Sequence, residues 1–189
     1  MISQTGSARL DIGRTWDGQL LAASEKAAIT LKIEPDAIHL DIDAPFHDDP
    51  APSTSPGSVD GLWNYEVVEL FIAGPPQLDG RIPYLEVELG PHSHYLVLQL
   101  SDVRQVAVQG LPLDYSAEID QTAGRWRGKA VVPNSYLPPP PHCVNAYAIH
   151  GVGNARRYLA WQPVPGAQPD FHQPRCFAPL VDPIADSAG

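Results

Sequence analysis

Apolar side chains recur at every second position in short runs along this chain, the spacing that a half-buried β-strand requires. In residues 37–43 (AIHLDID), Ile38, Leu40 and Ile42 fall on one face and His39, Asp41 and Asp43 on the other. Residues 84–89 (YLEVEL) repeat the pattern, with Leu85, Val87 and Leu89 opposite Tyr84, Glu86 and Glu88. Runs at 29–33, 65–72, 95–100, 105–109, 115–119, 126–132, 144–150 and 157–161 also read as strands, the last of them closing the fold. The pair 115–119 and 126–132 is expected to form an antiparallel hairpin through residues 120–124. Helix signals are confined to residues 20–28 (LLAASEKAA), and the alternation that follows limits them to a short helix or a loop. Residues 44–61, with their prolines and glycines, form a loop, and the proline run 138–141 can only be loop or extended chain. Short strands spaced by turns, with almost no helix, predict an all-β fold: a β-sandwich of two antiparallel sheets.

The composition agrees with one domain of this kind. The chain has 189 residues, enough to bury a core without staples. The domain is expected over residues 1–180, with 181–189 a flexible tail of small and polar residues. Proline accounts for 21 residues, about twice the usual share of ~5%. With 43% of residues apolar this is not a disordered composition; it suits a β-rich domain with many ordered loops. Cys143 and Cys176 form no C-x-x-C pair and no larger framework, which points to a reducing compartment. Residues 1–15 lack the apolar run of a signal peptide, and no apolar stretch is long enough to span a bilayer. A cytoplasmic location is the expectation. The net charge of −10 argues against nucleic acid and against an anionic membrane surface as partners.

Particular residues carry a resemblance. The segment Trp63-Asn64-Tyr65-Glu66-Val67-Val68-Glu69-Leu70-Phe71 resembles the W-x-x-D-x-V-E-x-F pattern of family-nine carbohydrate-binding modules, part of the DOMON-like group. Trp126 to Pro133 is similar to the W-x-x-x-x-x-I-P strand of those modules, and residues 145–151 and 157–161 to their final strand pair. TWDG (15–18), DAPF (43–46), WNYEVVELF (63–71), YLEVEL (84–89), PHSHYLVL (91–98), AIHG (148–151) and PDFH (169–172) together resemble an uncharacterised, UPF-type family found in bacteria and animals. That likeness covers nearly the whole chain. It implies the fold strongly and the activity weakly, because fold does not carry function by itself.

The resemblance implies a binding site for a small carbohydrate or related polyhydroxylated ligand. Binding modules stack the apolar faces of sugar rings on tryptophan or tyrosine and meet the hydroxyls with polar side chains. By motif position, Trp63 and Trp161 would sandwich the sugar and Glu69 would contact its hydroxyls, whereas Trp16 and Trp126 are expected in the core. Glu69 lies between Val67 and Phe71 on its own strand face, an apolar setting in which a carboxylate is expensive unless paired. Glu86, Arg157 and His150 complete the expected ligand-binding set. Where the modules tend to offer an arginine near Glu86 this chain has none in sequence, and Arg157 is the residue expected to compensate.

The other function classes rest on different residues. Carboxylates on neighbouring strands could perform acid–base chemistry, so an enzyme built from Glu86, Glu88, His92 and His150 is the rival reading. A protein–protein surface without a small ligand is the third. A mixed metal site from Glu88, His92, His94, His150 and His172 lacks a known spacing. The resemblance allows a structural calcium near Asp43, Asp48 and Asp49; otherwise no cofactor is expected.

Overall fold

The computed structural model describes residues 6–180, so the expected tail at 181–189 lies outside the described residues. Its strands are β1 (Gly6–Ile12), β2 (Arg14–Thr15), β3 (Ala27–Ile33), β4 (Ala37–Pro45), β5 (Gly57–Ser58), β6 (Val67–Ala73) and β7 (Tyr84–Leu89). They continue with β8 (His94–Asp102), β9 (Gln105–Gln109), β10 (Asp114–Asp120), β11 (Arg125–Pro133), β12 (Cys143–His150), β13 (Arg157–Ala160) and β14 (Ala178–Pro179). The helical content among the described residues is single 3-10 turns, one of them Leu62–Asn64. No helix among the described residues is long and apolar enough to cross a membrane.

Two sheets form the sandwich. One has five strands in the order β1-β3-β4-β11-β10. The other runs β2-β13-β12-β6-β7-β8-β5, with β14 on β12 and β9 on β8. Pairing is antiparallel apart from the short parallel bridge between β5 and β8. The hairpin β10–β11 is the one expected through residues 120–124. Strand β4 keeps the inward face read from its alternation, with Ile38, Leu40 and Ile42 buried. These side chains meet Val68, Leu70, Ile72, Leu85, Val87 and Leu89 of the second sheet in the inter-sheet core, which also takes in Trp126.

Four elements depart from the sequence reading, the first of them the two-residue β5, which lies inside the loop expected over 44–61 and pairs with β8. Strand β1 precedes the first expected strand; its outer half is exposed, and Leu10 and Ile12 are its buried residues, so its alternation is short. The two-residue β2 carries no pattern of its own. Strand β14 follows β13, which was expected to be the last: the chain passes across the outer face of the second sheet and returns to pair Cys143 and Val144 with Pro179 and Ala178.

That crossing gives the fold its functional character. Strands β6 and β7 are buried at every position, whereas a strand in a two-layer sandwich normally turns one face to water. Their outward residues belong to a second apolar cluster, in which Phe71, Tyr84, Leu98, Leu100 and Tyr147 lie beneath Val164, Phe171 and Phe177 of the crossing segment. The Phe171 ring stacks on Tyr147 with centroids 3.8 Å apart, and the fully buried Asn145 side chain donates to the Gln162 carbonyl (2.9 Å) and accepts from the Gln162 N–H (3.1 Å). These contacts fasten the segment to the sheet as a third partial layer, and a cavity remains between them.

Candidate functional site

The cavity has a volume of about 330 Å³ and opens on the outer face of the larger sheet. Strand register builds it. Glu69 on β6 is paired with Glu88 on β7, and Phe71 with Glu86. Because side chains alternate across a strand, these four all point to the outer face, and the next strand adds Leu96 and Leu98 opposite Glu88 and Glu86. On the other side of β6, Tyr147 lies opposite Glu69. Three carboxyl groups are therefore set into an otherwise apolar floor. Glu69 and Glu86 line the cavity, together with Trp63, Phe71, Arg104, Tyr158, Asp170, Phe171 and His172.

The carboxyls are almost fully enclosed: Glu69 is 2%, Glu86 3% and Glu88 0% exposed. Glu86 Oε2 and both oxygens of Glu88 have no hydrogen-bond partner. A buried carboxylate without partners holds its proton. Burial is the main cause that pushes Glu86 up to about 7, against the pull of Glu88 and of the Arg104 guanidinium. Glu69 is raised well above the ordinary range by burial and then by Glu86, with Arg156 opposing. Glu88 is raised in the same way by burial and by both neighbouring glutamates.

Around this floor the polar groups are tied in place. The Tyr84 hydroxyl accepts from the Arg104 backbone N–H (3.2 Å) and is hydrogen-bonded to His172 Nδ1 (2.7 Å). His172 lies 4.0 Å from Glu86 Oε2, beyond hydrogen-bond reach. Its imidazole is lowered to about 4, by burial first and by Arg104 second, so it is neutral near pH 7. Arg104 sits at the β8–β9 turn in a left-handed conformation (φ 57°) and pairs with Asp170 at 2.8 Å. On the opposite rim, Arg156 donates to the carbonyls of Trp63, Asn64, Tyr65 and Gly151. It thereby fastens the 3-10 turn that carries Trp63, which is 44% exposed at the mouth of the cavity.

Of the expected site residues, the structure brings Trp63, Glu69 and Glu86 together. Three others lie elsewhere. Trp161 packs against the inter-sheet core: it is two residues beyond Leu159, whose side chain faces inward, and so falls on the inner side. His150 is also on that side and stacks on His47 with centroids 3.5 Å apart and planes within 1°. Arg157 is exposed and pairs with Glu25 at 3.2 Å, whereas the arginine that lines the cavity with Glu86 is Arg104. His92 and His94 line a shallow depression with Asp49 and Glu66, away from Glu86, which separates the histidines of the enzyme reading. No cluster of three or more metal-ligating side chains occurs among the described residues. The proposed calcium aspartates diverge, Asp43 to Arg125 and Asp49 to the Gly151 N–H.

The residues missed were Arg104, Arg156, Tyr158 and Asp170. Tyr158 had a signal: it is one position from Leu159 on a strand that alternates, and therefore on the face opposite the core. The segment PDFH, already noted in the likeness, supplies Pro169, Asp170, Phe171 and His172 to the cavity wall.

Comparisons with known proteins bear on this architecture. No protein-family model matches the chain. A solved structure of a candidate carbohydrate-binding protein from Bacteroides uniformis superposes with a TM-score of 0.58 at 18% identity, covering 92% of this chain and 84% of that one. The likeness is one of fold. A family-nine carbohydrate-binding module from Caldicellulosiruptor kristjanssonii in complex with glucose gives a TM-score of 0.49 at 11% identity, over 84% of this chain and 74% of that one. Sequence relatives are nearer. The human UPF0462 protein C4orf33 is 43% identical over 169 residues, covering 85% of this chain and 81% of its own length. The Danio rerio homologue is 37% identical over 176 residues, covering 88% and 85%. At that identity and coverage, the chain belongs to the UPF0462 family.

Proposed function

We propose that this protein binds a small polyhydroxylated ligand of the carbohydrate class in the cavity on the outer face of its larger sheet. One observation carries the reading. An aromatic-walled cavity of about 330 Å³ holds a buried carboxyl, Glu86, with an oxygen that no protein group satisfies. Apolar walls with a few convergent polar groups are the make-up of small-ligand sites, and Trp63, Phe71, Tyr158 and Phe171 offer faces on which a sugar ring can stack. The likeness in fold to a candidate carbohydrate-binding protein agrees with this. The test is isothermal titration of the protein with mono- and disaccharides. A sugar that binds the native protein should lose most of its affinity for Trp63→Ala while the circular dichroism spectrum stays unchanged. Undiminished binding by that variant refutes this site.

A second reading has its own observation. Glu86 is held near 7 beside a neutral imidazole, the condition in which a carboxyl can exchange protons at physiological pH. Acid–base chemistry would then fall to Glu86 and His172 rather than to His92 or His150. Turnover of aryl glycosides that disappears in Glu86→Gln would favour it over simple binding.

A further inference from the structure

The charges around the cavity go beyond what a neutral sugar needs. Glu69, Glu86 and Glu88 occupy adjacent positions on two paired strands, and Asp170 stands in the cavity wall. Two guanidinium groups act on these carboxyls, Arg104 on Glu86 and Arg156 on Glu69. Both are committed elsewhere. Arg104 is paired with Asp170, and Arg156 is occupied by four backbone carbonyls. His172 Nδ1 is taken by the Tyr84 hydroxyl. The cavity therefore encloses more acidic groups than cations to match them, and Glu86, 3% exposed, lines it with one oxygen that is shielded from solvent and unpartnered.

An ionised carboxyl in such a place is stable only beside a positive charge. The walls suit a cation too: Trp63, Phe71, Tyr158 and Phe171 line the same cavity, and the face of an aromatic ring attracts an ammonium group. A neutral hydroxyl would leave these carboxyls protonated, as burial already holds them. An ammonium group would offset their charge on ionisation, placing three N–H donors against oxygens that now have none.

Resting on the proposed sugar site, we infer that its ligand carries a protonated amine: a small amino sugar or amino polyol, with the ammonium seated against Glu69 and Glu86 and the ring against the aromatic wall. The ammonium supplies the counter-charge that lets the two lining carboxyls ionise, the hydroxyls face Asp170 and Arg104, and Glu88 lies opposite Glu69 on the neighbouring strand.

The experiment is a matched titration of the native protein at pH 7 with glucose, glucosamine, 6-amino-6-deoxyglucose and cyclohexylammonium. At least one amino sugar should bind tenfold or more tightly than glucose. That preference should fall to near unity in Glu86→Gln, which removes the charge and keeps the shape, and Glu69→Gln serves if the first variant does not fold. Glucose binding as tightly as both amino sugars overturns the inference and leaves the sugar site standing. Cyclohexylammonium binding where no sugar does supports a cationic ligand and refutes the sugar. If none of the four binds, or if the preference survives both substitutions, the ammonium seat is wrong.

Discussion

Glu86→Gln should make the protein's stability less sensitive to alkali, and the size of the effect follows from one buried group. In the folded chain Glu86 holds its proton to about pH 7, against an ordinary value of 4.5, chiefly because burial disfavours the charge. The folded state thus binds more protons than the unfolded state between these two values. The contribution is fully present below pH 4.5 and is lost as pH rises through 7. A displacement of that size is worth about 3 kcal/mol, a large part of a domain's marginal stability. His150 and His172 act in the opposite sense. Each is lowered to about 4, so each removes stability as pH falls from 6.5 towards 4. The two kinds of group oppose one another in the raw profile over the same window, and the difference between variant and native protein reads Glu86 together with its effect on Glu69 and Glu88. Glutamine has nearly the same shape and no titration. Urea unfolding at pH 4.5 and at pH 8 should show the variant gaining about 3 kcal/mol on the native protein between the two pH values, equivalent to roughly 6–12 °C in melting temperature for a chain of this size. Parallel profiles, with an unchanged difference at both pH values, would mean that Glu86 is not held neutral by burial and would refute the electrostatic account of the cavity.

Other substitutions read other parts of the fold. Gly151→Ala should destabilise the turn after β12, since φ is +79° and a Cβ would stand 2.4 Å from the Ala155 carbonyl oxygen; a loss of more than 1 kcal/mol by chemical denaturation is expected. Arg156→Ala should release the turn bearing Trp63, seen as faster hydrogen exchange of its amides and a weaker sugar signal, with lysine failing to restore it because one ammonium cannot serve four carbonyls. His150 should titrate near pH 4 by NMR, burial being the first cause and the stacked His47 the second. Replacing His47 with asparagine should move that titration upward, and no movement would show that the pair does not couple.

The strands were legible because their alternation is local. Residues 84–89 and 105–109 have the bounds read from pattern alone, and the inward face of β4 is the one its alternation picked out. What the pattern could not express is how many faces are covered. Strand β7 reads as amphipathic, with Tyr84, Glu86 and Glu88 on the side that would ordinarily meet water, yet all six of its residues are buried. The cover comes from residues 161–177, a stretch rich in proline with no periodicity to announce it. Nothing local in YLEVEL distinguishes a glutamate in solvent from one under a layer of chain.

The site divides along the same physical line. Where a functional residue sits within a strand, the two-residue period decides which face it serves, and applied consistently it separates Glu69, Glu86 and Tyr158 from His150 and Trp161. Matching tryptophans by motif position placed Trp161 at the sugar, although the inward side chain of Leu159 two residues earlier puts it on the core side. Where a residue sits on a turn or on the crossing segment, no period applies. Arg104 lines the cavity because the β8–β9 turn takes a left-handed residue at that position, and His172 joins it because the Tyr84 hydroxyl meets the crossing chain. These two residues join a pattern that could be read from the chain to a geometry that needed the fold. With the carboxyls they set the cavity apart from a packing gap, which would be lined by apolar groups alone. This one encloses carboxyl oxygens that the protein leaves unsatisfied, and a fold does not maintain that arrangement for stability, since replacing buried charged groups with apolar ones of similar volume is often neutral or stabilising. On the proposed reading, a ligand supplies the partner that these oxygens lack.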